Sequence, residues 1–194
     1  MKTLTSPKTN SPLFIFHTLF IAYLGTATAS FIEDTCKQAT LISDDYIYCV
    51  RELALLRSIP SYHIPDANGL AFDAAQLTYN HYLNTTLKIE ELSRNPGLPP
   101  WVKKGLSTCH DLYVNAISHI KIALLAFENS NPYQAMFQFQ TVIEAPGACR
   151  NGVFRYPERR MLARENRKAE RLSRLSLLML NLLYKRSLSL PPPA

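Results

Sequence analysis

The sequence predicts an all-α chain: a short N-terminal helical hairpin followed by four longer helices packed as antiparallel neighbours. Three observations carry this expectation. Apolar residues recur at steps of three and four over long windows. No stretch alternates apolar and polar residues as a strand would. The four cysteines fall into two pairs, each centred on a turn signal. Cys36 and Cys49 are symmetric about Ile42-Ser43-Asp44, and Cys109 and Cys149 about Asn129 within Glu128-Asn129-Ser130-Asn131-Pro132. In an antiparallel helical hairpin, residues equidistant from the turn lie opposite each other, because both helices rise equally per residue. The spacing therefore predicts two hairpins closed by Cys36–Cys49 and Cys109–Cys149.

Each element has its own punctuation. Phe31 to Ile42 and Tyr46 to Ile59 form the first pair of helices, with Asp44 as N-cap of the second. Pro60 and Pro65 bracket a loop, and Asp66 caps a helix from about Ala67 to Arg94. The expected inner stripe of that helix is Phe72, Ala75, Tyr79, Tyr82 with Leu83, Thr86, Ile89 and Leu92. Asn95-Pro96-Gly97 stops it. The next helix runs from about Trp101 to Phe127, with a heptad-like stripe of Leu106, Cys109, Tyr113, Ala116, Ile120, Leu124 and Phe127. Pro132 suits the first turn of the following helix, whose inner face is Ala135, Phe139, Val142 and Ile143 and which Pro146-Gly147 should end. The last helix is expected from about Pro157 to Arg186, with Leu172, Leu175, Met179 and Leu182 inward. Residues 187–194, ending in three prolines and Ala194, read as a disordered tail.

Composition bounds the setting. Lys2 and Lys8 precede an apolar run from Leu13 to Gly25, and Ala27-Thr28-Ala29 supplies the small residues of a cleavage site. This is the pattern of a secretory signal over residues 1–29; the run is shorter than the roughly 20 residues a spanning helix needs. A secreted chain sits in an oxidising space, where an even cysteine count reads as disulfides. The mature chain from Ser30, one domain by size, is expected to be soluble. Its charge is unevenly divided: a net of −4 from Ser30 to Cys149 and +8 from Arg150 to Ala194. A basic segment of this kind is either a solvated helix face or a binding surface for an acidic partner.

Chemistry-bearing patterns are scarce. His63, His81, His110 and His119 form no H-x-x-x-H or H-E-x-x-H pair. There is no G-x-S-x-G elbow and no phosphate loop. Glu90-Glu91 and Asp44-Asp45 are adjacent pairs rather than converging carboxylates. The chain is therefore expected to be no enzyme and to need no metal or cofactor. Asn84-Thr85-Thr86 is the usable N-x-S/T sequon, so Asn84 is the expected glycosylation site.

The spacing Cys36-x(12)-Cys49, the segment Cys109-His-Asp111-Leu-Tyr113-Val-Asn-Ala116, the fourth cysteine in Ala148-Cys149-Arg150-Asn151-Gly152 and the Leu-rich end Leu180-Asn181-Leu182-Leu183 resemble the plant invertase and pectin methylesterase inhibitor family. The resemblance covers essentially the whole mature chain. It implies an up-down-up-down four-helix bundle with an N-terminal helical extension over residues 30–186, and the same cysteine pairing. It also implies a stoichiometric inhibitor that covers the active-site cleft of a secreted carbohydrate-acting enzyme. Invertase-directed members carry Pro-Lys-Phe before the helix that leads to the fourth cysteine; here the matching positions are Pro132, Tyr133 and Gln134. Where esterase-directed members often show Ser-Ala-Ala, this chain has Gln140 to Ala145.

The leading expectation is an inhibitor of pectin methylesterase, with Pro132, Tyr133 and Gln134 near the contact. The alternatives are an inhibitor of acid invertase, and a non-inhibitory bundle that binds anionic cell-wall polymer through Arg155, Arg159, Arg160, Arg164, Arg167, Lys168 and Arg171. The expected location is the apoplast or cell wall, with the vacuole as alternative. Nucleic acid is not an expected partner.

Overall fold

The computed structural model describes residues 31–40, 43–55, 66–152 and 160–189. The expected signal segment, the Pro60–Pro65 loop, His63, Arg155, Arg159 and the end of the Pro-rich tail lie outside the described residues. Among the described residues seven helices follow in order: α1 (residues 31–39), α2 (Ser43–Ala54), α3 (Ala67–Ser93), α4 (Pro100–Glu128), α5 (Pro132–Val142), α6 (Ala145–Gly152) and α7 (Ala163–Ser189). No strand occurs among the described residues. Helices α3, α4 and α7 and the α5–α6 pair form the bundle, and the α1–α2 hairpin packs on α3 and α7.

Several sequence expectations are corrected. Pro146-Gly147 does not close α5. The break falls two residues earlier, at Ile143-Glu144, and Pro146 sits in the first turn of the separate helix α6. A proline lacks the amide that a first turn leaves unpaired, so it starts a helix as readily as it stops one. Asp44 lies inside the first turn of α2 rather than before it, where its charge still favours the helix N-terminus. Helix α7 runs through Ser189, so residues 187–189 are helix rather than tail.

The inner face of α3 keeps Ala75, Tyr82, Thr86 and Ile89 of the expected stripe but not Phe72 and Leu83. Its buried line is Leu70, Ala71, Ala74, Ala75, Thr78, Tyr82, Thr85, Thr86 and Ile89, while Phe72 and Leu83 lie at the exposed margin. Small residues let α3 approach its neighbours, and the two bulky side chains cap the edges. Phe72 stands edge-on to Phe127 at 6.0 Å between ring centroids.

The core contains a buried polar network. The Tyr82 hydroxyl donates to the Val142 carbonyl at 3.0 Å and pairs with Ser173 Oγ at 2.8 Å. Thr78 and Ser176 share a hydrogen bond of 2.9 Å. Tyr113, whose ring lies 4.9 Å from that of Tyr82, donates to Asn166 Oδ1 at 2.7 Å, and the Asn166 amide approaches Cys149 Sγ at 3.6 Å. Every hydroxyl and amide of this network has a partner, which is the condition for burying it without loss.

Two disulfides brace the chain. Cys36–Cys49 joins α1 to α2, and Cys109–Cys149 joins α4 to α6, with Cα atoms 5.8 and 4.9 Å apart. The second closes a separation of 40 residues, for which loop-closure entropy gives about 4 kcal/mol. Replacing Cys109 and Cys149 together by Ser should lower the thermal midpoint by roughly 10 °C. Scanning calorimetry of the oxidised variants measures this, and an unchanged midpoint contradicts it. Tyr82→Phe should cost about 1–3 kcal/mol by removing the donor to the buried Val142 carbonyl, read as a shift in the urea midpoint at constant slope.

Candidate functional site: the α4–α5 corner and a basic face

The corner between α4 and α5 is built from local rules. Ser130 adopts a left-handed backbone conformation (φ 53°). The Ser130 amide donates to the Phe127 carbonyl at 2.9 Å and the Asn131 amide to the Ala126 carbonyl at 2.9 Å. This pair is a Schellman ending for α4. Asn131 at once caps α5, its side chain accepting from the Gln134 amide at 3.0 Å, and Pro132 follows as the first helical residue. An end cap and a start cap share three residues, so the corner has little freedom.

What the corner presents is aromatic and polar. Tyr133 is 55% exposed and Phe137, one turn later, 57% exposed. The Tyr133 ring lies 5.6 Å from that of Tyr184 on α7, so it packs on its own bundle on one side and meets solvent on the other. Pro132 is half-buried and Gln134 exposed. Phe137 was not among the sequence candidates. The signal was available: it lies four residues from Tyr133, on the same helix face and off the buried line of Ala135, Phe139 and Val142.

The basic residues collect elsewhere. Arg164, Arg167, Lys168 and Arg171 occupy the first turns of α7, and Arg160 lies in the turn before it. Two clefts meet there. One, of about 520 Å³, is lined by His81, Asn84, Thr85, Lys88, Arg164, Glu165 and Lys168. The other, of about 350 Å³, is lined by Tyr48, Arg51, Glu52, Arg164, Arg167, Lys168 and Arg171. Asn84 is exposed on the rim of the first, mid-way along α3. Arg150, directly after the fourth cysteine, pairs with Glu170 at 2.9 Å and so braces α6 against α7.

The electrostatics of the first cleft centre on a buried carboxylate. Burial alone raises the Glu165 pKa, but Lys88 at 2.6 Å, a backbone hydrogen bond and Arg164 outweigh it and hold the group below its ordinary value. His81 Nε2 donates to the Glu165 carbonyl at 2.9 Å. Its pKa is pushed down, first by burial and also by Lys168, against that hydrogen bond. His110 meets Glu90 at 3.3 Å and His119 meets Gln138 at 2.6 Å. These histidines serve helix–helix contacts. No group of three or more His, Cys, Asp or Glu among the described residues is placed to hold a metal ion, and no described helix is long and apolar enough to cross a membrane.

Fold and corner together define the class: a disulfide-braced helical bundle offering a rigid helical face, as a proteinaceous inhibitor does. The chain belongs to the plant invertase/pectin methylesterase inhibitor family, whose sequence model matches residues 30–179. It is 24% identical over 174 residues to a protein of Platanus acerifolia named "Putative invertase inhibitor", covering 87% of this chain and 93% of that one. A protein of the same name from Platanus orientalis is 25% identical over 162 residues, covering 80% and 91%. A crystal structure of a pectin methylesterase inhibitor from Arabidopsis thaliana superposes with a TM-score of 0.57 at 19% identity, covering 79% of this chain and 96% of that one. A mutant form of such an inhibitor from Arabidopsis gives 0.63 at 18% identity, with 79% and 95% covered. At these identities the structural likeness speaks for the fold.

The depressed His81 pKa fixes a sign. The unfolded chain takes up a proton near pH 6.5 that the folded chain resists, so stability is present above that pH and declines as pH falls below it. Glu165 adds its own loss only below about pH 4.5. Urea unfolding between pH 5 and 7.5 therefore covers the His81 range and stays above that of Glu165. The wild type should weaken toward pH 5 and His81→Gln should flatten the profile, whereas parallel profiles would contradict the assignment.

Proposed function

We propose that the mature chain is a secreted, non-enzymatic inhibitor of pectin methylesterase that covers the enzyme's active-site cleft one to one. The observation that carries this reading is the α4–α5 corner. It projects Tyr133 and Phe137 from a doubly capped helical corner whose first helix, α4, is cross-linked to α6. It carries Tyr133-Gln134 where invertase-directed members of the family have a cation and an aromatic residue after the proline. A rigid surface loses little entropy on docking, and exposed aromatic anchors are the residues that dominate such interfaces. The partner engages Pro132, Tyr133 and Gln134 with Phe137. Cleavage after about Ala29 delivers the protein to the cell wall, with Asn84 glycosylated and the Pro-rich tail beyond residue 189 outside the contact.

A second reading has its own support. Both Platanus proteins that match most of this chain are named for invertase, and acid invertase is the alternative target, in the apoplast or the vacuole.

One titration separates the readings. The oxidised mature chain is added to a pectin methylesterase and to an acid invertase across pH 4–7. Esterase activity should fall linearly to an equivalence point at one to one while invertase activity is unchanged. The reverse pattern favours the second reading, and loss of activity in neither enzyme contradicts both. Tyr133→Ala should weaken esterase inhibition about tenfold, the effect of a single interface anchor, without lowering the thermal midpoint by more than a few degrees.

A further inference from the structure

The cleft between α2 and α7 is lined mostly by basic side chains. We propose that it takes a run of carboxylates on a polyuronate chain, the form that pectin acquires once its methyl esters are removed. The choice of polymer rests on the pectin methylesterase reading above. The site itself rests on the side chains that follow.

Five cations, Arg51, Arg164, Arg167, Lys168 and Arg171, face one carboxylate, Glu52. Arg51 is tied to Glu52 at 3.0 Å and Arg164 to Glu165 at 3.4 Å. Arg167 and Lys168 have no carboxylate partner within salt-bridge distance among the described residues. Like charges packed this closely repel one another, and an incoming polyanion relieves the repulsion.

Tyr48 gives the independent observation. It forms the wall of the cleft and is 5% exposed. Its ring lies under two guanidinium groups, with the Arg171 carbon 4.2 Å and the Arg51 carbon 5.2 Å from the centroid. Its hydroxyl is buried without a hydrogen-bond partner among the described residues. A buried donor left unmade is costly, and the buried tyrosine hydroxyls of Tyr82 and Tyr113 among the described residues are both paired. Burial, with Glu52 adding to it against Arg171 and Arg51, raises the phenol pKa, so the group stays protonated and can donate. A cradle of cations around an unsatisfied donor matches a carboxylate.

The shape selects a chain rather than a single ion. The cleft shares Arg164 and Lys168 with its neighbour, where Lys88 is already tied to Glu165. Along α7 the positions 164, 168 and 171 rise by roughly 6 and then 4.5 Å, so the cations form a row along the helix rather than a single point of charge. Each esterase turnover converts a methyl ester and water into a carboxylate, a proton and methanol. The product is charged where the substrate was neutral. An inhibitor with this site is retained on wall that its target has already processed.

The test measures binding of the oxidised mature chain to a polygalacturonate of defined length by calorimetry, at several salt concentrations. Comparison ligands are the fully methyl-esterified polymer and a polyglutamate of equal charge. Binding should be strongest to the polygalacturonate, at least tenfold weaker to the ester, and steeply reduced by salt. Arg167→Gln combined with Lys168→Gln should lower affinity at least tenfold and flatten the salt dependence. Tyr48→Phe keeps the ring and should lower affinity several-fold with the salt slope unchanged. Circular dichroism melts establish that the variants fold, and if Tyr48→Phe does not, the α7 pair decides the question. Equal binding of ester and acid, wild-type affinity in the folded α7 variant, or polyglutamate binding as tight as polygalacturonate would each overturn the proposal. Inhibition of the esterase on a small soluble ester is scored separately, so failure of the target reading and failure of this site give different results.

Discussion

Two tyrosine hydroxyls at the centre of the bundle set the terms for everything around them. Tyr82 and Tyr113 have buried, adjoining rings, and a buried hydroxyl must be paired. Tyr82 finds its partners on α5 and α7, and Tyr113 finds its partner on α7. Sliding any of these helices by a turn would orphan a hydroxyl. Apolar packing holds the helices together but tolerates many registers; the hydroxyls select one. Asn166 then links this register to the Cys109–Cys149 bridge, so the polar network and the cross-link fix α4, α6 and α7 jointly.

That fixed register makes the surface usable. The corner from Asn129 to Gln134 is positioned by α4 below it and by Tyr184 beside it. The basic cleft is positioned by the opposite end of α7. Tyr184 and Arg171 are 13 residues apart, roughly 20 Å along one helix. One helix thus carries an aromatic face at its C-terminal end and a cationic face at its N-terminal end, far enough apart for both to be occupied. Their chemistries also differ: aromatic anchors suit a protein cleft, and a row of cations suits a polyanion.

Much of this was legible in the sequence. The cysteine symmetry gave the pairing geometry of a hairpin, and the three–four spacing picked out Leu106, Cys109, Tyr113, Ala116 and Ile120 on α4 and Leu172, Leu175 and Met179 on α7, all buried, while Leu124, Phe127 and Leu182 are only partly so. What sequence missed has physical reasons. Ala75, Tyr82, Thr86 and Ile89 on α3 are buried as expected, but Ala71, Ala74 and Thr78 carry weak hydrophobic signals, so the stripe was extended to the louder Phe72 and Leu83 instead. Pro146 is a breaker by local rule, and only the paired geometry of Cys149 with Cys109 reveals that a new helix starts there. Asn166, Ser173 and Ser176 look like surface residues until Tyr113, Tyr82 and Thr78 are placed opposite them. The cleft at Tyr48 joins residues more than a hundred positions apart, and no local pattern announces it.

The central claim is that enzyme binding and polymer binding use opposite ends of α7. Hydrogen–deuterium exchange on the one-to-one complex with pectin methylesterase tests this most directly. Slowed exchange across residues 129–141, with residues 164–171 unchanged, is the predicted result. Protection confined to residues 164–171, with the corner exchanging as in the free protein, would contradict it.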